Sequence, residues 1–150
     1  MSESKELLTL RAKTERYLKQ LVPSFEVVGD RYRITYGSSA LLIHPLTWRD
    51  NMTILRLVAV VLRKVKKAGN EAMFEEFSQL NDRLLFGKIY WIHDSPEVTT
   101  EGPVLIEHNF IGEYLDYEEF QHGCISLSLA ADELDEQLKS RYGGLCWVDD

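Results

Sequence analysis

The sequence predicts an α+β domain in which helices accompany one antiparallel sheet, in the order α-β-β-β-β-α-β-β-α. Three observations carry this expectation. Apolar residues recur at helical spacing in three separated stretches, they alternate at strand spacing in stretches between them, and the strands come in runs joined by turn residues. The 150 residues are 45% hydrophobic and 27% charged, which suits one globular domain over residues 1–150. A chain of this length holds a core without metal or disulfide.

Leu7, Leu10, Tyr17, Leu18 and Leu21 fall on one face of a helix over residues 4–21, and Pro23 ends it. The period then becomes two. Phe25–Val28 and Arg31–Tyr36 flank Gly29-Asp30, a two-residue hairpin turn. In the second of these strands Tyr32, Ile34 and Tyr36 share one face while Arg31, Arg33 and Thr35 share the other, so the first set is expected in the core. Gly37-Ser38-Ser39 turns into a third strand, Ala40–Trp48, where Pro45 suggests an edge or a bulge. Arg49-Asp50-Asn51 turns the chain again. In Met52–Val65 Leu and Ala suit a helix, but Thr53, Ile54, Val58, Val60, Val61 and Val65 favour a strand. The strand reading is adopted, in part on a resemblance given below. Asn70 is expected to cap a helix with Glu71, Glu75 and Glu76 in its first turns and Met73, Phe74, Phe77, Leu80 and Leu84 turned inward. Phe86–His93 and Val104–Ile111 read as strands joined by the polar connection Asp94–Pro103. From Tyr117 onward Phe120, Cys124, Leu127, Ala131, Leu134 and Leu138 form one helical stripe, which Gly143-Gly144 stops.

The net charge of −7 disfavours a phosphate-backbone partner. The charge is also lopsided: residues 1–67 hold 13 basic and 6 acidic side chains, residues 68–150 hold 4 and 18. Arg63, Lys64, Lys66 and Lys67 form a basic run without interleaved aromatics, which reads as a solvated strand end rather than a nucleic-acid site. Glu113–Glu136 contains eight carboxylates and no Lys or Arg, so Glu118 and Glu119 are candidates for steering a basic partner. The longest strictly apolar run, Leu57–Leu62, is far too short for a membrane span, and the polar opening Met1–Glu6 has no signal-peptide core. A cytoplasmic protein is expected.

No catalytic motif stands out. His93 and His108 lie in the late hairpin beside Asp94 and Glu107, yet hairpin counting sets residue 93 opposite about 103 and residue 88 opposite about 108. Solvated histidines are expected there, and surface positions for His44 and His122. Neither HExxH nor a Cys/His cluster occurs, and the only paired glycines follow a helix, so no metal or cofactor is expected. Cys124 reads as a buried structural thiol, while Cys146 in the tail beside Trp147 is expected to be more exposed. A sheet covered on one side leaves its other face to be hidden, and Leu41, Ile43, Ile89 and Trp91 are taken as that face. Trp48, Ile89 and Trp91 are the candidates for apolar partner contacts.

Several phrases resemble the superfamily of class I type III secretion chaperones and YbjN-like proteins. Phe25-Glu26-Val27-Val28-Gly29-Asp30-Arg31-Tyr32 is similar to that family's first hairpin, and Leu80-Asn81-Asp82-Arg83-Leu84-Leu85-Phe86-Gly87-Lys88 to its helix-to-strand junction. The long helix with Ala130-Ala131-Asp132-Glu133-Leu134, ending in Tyr142-Gly143-Gly144, is similar to its closing helix. The likeness is greatest to an uncharacterised branch from photosynthetic bacteria and plastids. Met52–Val65 departs from the secretion chaperones as an additional strand. The resemblance implies a non-enzymatic, chaperone-like or adaptor protein that forms homodimers and binds a peptide segment of a partner by strand addition over apolar patches. The rival readings are a small ligand-binding protein or enzyme, with His93, His108 or Cys146 in a pocket between sheet and helices, and a structural subunit of a larger assembly.

Overall fold

A computed structural model describes residues 3–150; Met1 and Ser2, the opening of the polar segment, lie outside the described residues. The elements are α1 (Lys5–Leu21), β1 (Glu26–Val28), β2 (Arg31–Tyr36), β3 (Ser39–Trp48), β4 (Met52–Lys66), α2 (Glu71–Arg83), β5 (Lys88–Trp91), β6 (Glu101–Ile111) and α3 (Tyr117–Tyr142). One 3-10 turn at Gly112–Tyr114 joins β6 to α3. The order is the expected one, and the strands form a single antiparallel sheet arranged β1-β2-β3-β4-β6-β5.

The stretch Met52–Lys66 is a strand because it is the hub of that sheet. β4 pairs with β3 on one side and β6 on the other, so its branched residues sit between two neighbours. Pro45 lies past the β2 pairing, which ends at Tyr32 opposite Ile43. There β3 has β4 alone as its neighbour, the edge setting that the proline implied. β5 is shorter than expected: it begins at Lys88, after Gly87 at φ 84°, and its regular pairing ends at Trp91, although Ile92 and Asp94 still donate to the Pro103 and Glu101 carbonyls. β6 starts earlier, because Glu101 pairs with Lys66.

Helices cover one face. Cross-strand partners place Tyr32, Ile43, Leu57 and His108 in one row and Ile34, Leu41, Ala59, Ile106 and Ile89 in the next. Leu10 and Leu18 of α1, Met73 and Phe77 of α2, and Phe120, Cys124, Leu127, Ala131 and Leu138 of α3 close over these rows. Each fully buried Leu, Ile or Phe contributes about 1.5 to 3 kcal/mol. Ser38 ties the β2–β3 turn to α3, its backbone N–H and hydroxyl both donating to Asp132 at 2.9 Å and its hydroxyl also to the buried Asp135.

Two inward expectations and one capping expectation are corrected. Tyr36 is exposed at the strand end, and Phe74 is exposed because α2 covers only the β5 edge; its ring meets Trp91 edge-on at 6.1 Å. Asn70 occupies the N-cap position without a side-chain cap bond, donating instead to the carbonyls of Lys66 at 2.7 Å and Tyr142 at 2.9 Å.

Two register shifts between Val60 and Val65 bulge β4 against β6 and put Lys64 at φ 56°. Released from β6, the Arg63 backbone pairs with Leu145 through hydrogen bonds of 2.7 and 2.8 Å. Gly144 makes this approach feasible. Its φ is 87°, and a Cβ there would lie 2.7 Å from the Arg63 carbonyl oxygen.

Candidate functional site

The face of the sheet turned away from the helices is open. Arg33, Leu42, Val58, Glu107 and Lys88 form one cross-strand row on it, and Thr35, Ala40, Val60, Leu105 and Tyr90 the next. His44, Arg56 and Asn109 continue the pattern. A groove of about 420 Å³ crosses five strands over an apolar floor that includes Leu42, Val58 and Leu105. Arg31, Arg56, Arg63 and Lys64 line it against two carboxylates, Asp94 and Glu107, so a locally basic site sits in an acidic chain.

Glu107 is already engaged. The Tyr90 hydroxyl donates to it at 2.8 Å, and Arg56 Nε lies 3.6 Å away. Burial, with the Glu107 carboxylate beside it, raises the Tyr90 phenol well above its ordinary range. His44 on the same face lies 3.2 Å from Asp30. Desolvation is the largest influence on its imidazole, with Arg31 also opposing the charge, so its pKa is lowered despite Asp30.

The segment after α3 forms one wall. Arg63 donates through Nη2 to the carbonyls of Cys146 at 3.0 Å, Trp147 at 3.3 Å and Asp149 at 2.5 Å. The Trp147 ring lies between Arg33, 5.4 Å away, and Arg63, 5.8 Å away. Ala40 and Val60 are buried at this end of the groove although they point away from the helices.

The two edges of the sheet differ. At β5 the Asn81 side chain acts as a substitute strand, accepting from Ile89 N–H at 2.7 Å and donating to its carbonyl at 2.9 Å. The asparagine in the junction phrase thus has a physical reason. At the opposite edge β1 presents exposed Val27 and Val28.

The sequence-predicted site residues are not brought together. Ile89 is 1% exposed and belongs to the core, as do Leu41 and Ile43, so the surface expected from them is the helix-covered face. Trp91 is half-buried and donates from Nε1 to the Val65 carbonyl at 3.0 Å. Trp48 is exposed at the far end of β3 opposite Met52, while Trp91 aligns through Val104 with Leu62; the two lie about 30 Å apart along the sheet. Glu118 and Glu119 are exposed in the first turn of α3, where the helix dipole favours carboxylates. They border a cavity lined also by Phe86, His108 and Phe110.

Other side chains also depart from expectation. His108 is stacked on Phe86 at 3.8 Å on the covered face, and burial lowers its pKa, whereas His93 is exposed beyond β5. His44 is not a free surface residue, while His122 is exposed. Cys146 is 1% exposed rather than open, because its segment packs back on α3. Burial, helped by Asp135, Glu136 and Asp149, pushes its thiol up to about 12. His93, His108 and Cys146 therefore occupy separate surroundings. Asp135, Glu136 and Cys146 place ligand-type atoms within 4.8 Å of one another, but Asp135 is held by Ser38 and the Glu136 N–H, and the Cys146 thiol faces Glu136. No helix among the described residues is long and apolar enough to cross a membrane.

The residues that sequence reasoning missed are Leu42, Val58, Leu105, Tyr90, Arg63 and Trp147. Their signal was the phase opposite to Leu41 and Ile43, together with the close contact at Gly144. No curated protein sequence matches the chain significantly. A family model described as T3SS (YopN, CesT) and YbjN peptide-binding chaperone 1 matches residues 9–150, nearly the whole chain. The chain belongs to this family of peptide-binding chaperones, TY-Chap1.

Proposed function

We propose that the protein is a non-enzymatic chaperone or adaptor that holds an extended peptide segment of a partner protein on the open face of its sheet. The observation that carries this reading is the groove across β2, β3, β4, β6 and β5, with an apolar floor exposed between charged walls. Self-association is assigned to the β1 edge, where Val27 and Val28 are exposed and no side chain among the described residues plays the part that Asn81 plays for Ile89. Trp48, Trp91, Glu118 and Glu119 are contact candidates at the periphery. A cytoplasmic setting suits Cys124 and Cys146, both free and buried thiols.

The test is capture of apolar-rich peptides of about 12 residues, a length that exceeds the sheet width, by the wild type and by Val58→Asp. Peptides bound by the wild type and lost in a folded Val58→Asp support the reading; equal capture by both removes the open face from it. Sedimentation velocity checks self-association. A dimer that becomes a monomer in Val27→Lys supports the β1 edge, and a monomer at all concentrations overturns it.

A further inference from the structure

We infer that the segment taken by the groove is acidic: an extended stretch whose aromatic or aliphatic residues meet the floor while its carboxylates meet the arginines and lysine of the walls. The inference rests on the peptide-binding reading and adds the chemistry of the ligand. Charge complementarity is the first support. Lys64 and the exposed Arg31 stand at the walls, and Lys64 pairs with no carboxylate among the described residues. Of the two acids that line the groove, Glu107 already accepts the Tyr90 hydroxyl and faces Arg56, which leaves the exposed Asp94 as the acceptor for a ligand cation. A basic segment would meet that one carboxylate among four basic side chains.

The second support is internal. The chain's own Leu145–Asp149 is an apolar, aromatic stretch ending in an acid, and it lies against one end of this face. Its backbone bridges Arg63 in antiparallel fashion and its indole lies 5.4 and 5.8 Å from two guanidinium groups, while its Asp149 carboxylate accepts from Lys139 of α3, outside the groove, at 2.7 Å. A ligand arriving beside it would use the same aromatic and guanidinium contacts over the remaining strands, with Lys64 left for its carboxylates. Five strands span about 19 Å between the outer two, room for about six extended residues. The apolar floor favours a polypeptide over a nucleic acid, whose phosphates need charge without it.

The test uses fluorescence anisotropy on the full chain with three labelled peptides of about 12 residues, a length that exceeds the sheet width. They share the same Phe and Val positions and alternate these with Glu, Gln or Lys. An oligonucleotide of equal length is the fourth probe. The expected order is Glu over Gln by about tenfold, with Lys weakest, and a smaller Glu preference at about 0.5 M salt. The double variant Arg56→Glu, Lys64→Glu is expected to reverse the order of the Glu and Lys peptides while its fold, checked by circular dichroism, is kept. Equal binding of the three peptides, or tightest binding of the Lys peptide, overturns the acidic ligand but leaves peptide binding standing. Binding of none overturns both. Tighter binding of the oligonucleotide than of the Glu peptide overturns the inference in favour of a general polyanion surface.

Discussion

The two faces of the sheet are built from the same strands and nearly the same residue types, yet one is a core and the other a groove. On the covered face Leu41, Ile43, Leu57 and Ile106 are fully buried under three helices. On the other, Leu42, Val58 and Leu105 lie one residue away in phase and keep contact with solvent. What separates the faces is the charge around the apolar positions. Arginines stand among them on the open side, where their guanidinium groups stay hydrated, and none stands among the rows under the helices. An apolar strand face is therefore not a core by composition alone; it becomes one when another layer covers it.

The sharpest break in the comparison is truncation on the covered side. Leu57→Ala is expected to cost about 2 to 5 kcal/mol, read as a lower urea midpoint, whereas Val58→Ala beside it should cost less than about 1 kcal/mol. Equal costs would mean that the open face is covered in solution. The next test concerns the edges. Asn81→Ala leaves the outward Ile89 groups without their partner, at an expected cost of about 1 kcal/mol, and is expected to add concentration-dependent association through β5. Unchanged stability and sedimentation would show that the amide does not guard this edge.

The smallest effect compares one histidine from each face. Burial lowers the pKa of His108 and of His44, so the fold favours both in the neutral form. For such a base the unfolded chain binds more protons on acidification. The stabilisation is complete above the unfolded value of about 6.5 and is lost as pH falls below it towards the depressed folded value. At His44 Arg31 and Arg56 reinforce the shift and Asp30 opposes it, while burial acts alone at His108. His108→Leu and His44→Gln should each flatten urea stability between about pH 7 and pH 5, and added salt should change the His44 effect more than the His108 effect. An unchanged pH profile in His108→Leu would mean that its imidazole is not buried in solution.

Most of the architecture is legible in the pattern of residues. β2 alternates Arg, Tyr, Arg, Ile, and its inward pair, Tyr32 and Ile34, can be named without coordinates. β3 and β4 are apolar in both phases, so nothing in Ala40–Ile43 or Leu57–Leu62 says which set meets the helices. That ambiguity is why Leu41 and Ile43 were expected on the free surface and Leu42 and Val58 were not. The buried position of Cys146 and the groove wall at Trp147 depend on a bulge about 80 residues earlier. Local patterning does not register contacts over such a separation.

The indole between Arg33 and Arg63 has an optical consequence. Indole emission responds to nearby charge, and Trp147 stands on the groove wall, while Trp91 is tied to the Val65 carbonyl on the far side of the sheet. Carboxylates entering the groove would change the field at Trp147 and leave Trp91 as a steady background, and Trp48→Phe would remove the third indole, exposed at the far end of β3. The protein thus carries its own reporter, and occupancy of the open face should be readable in the intensity and colour of its ultraviolet emission without an added dye.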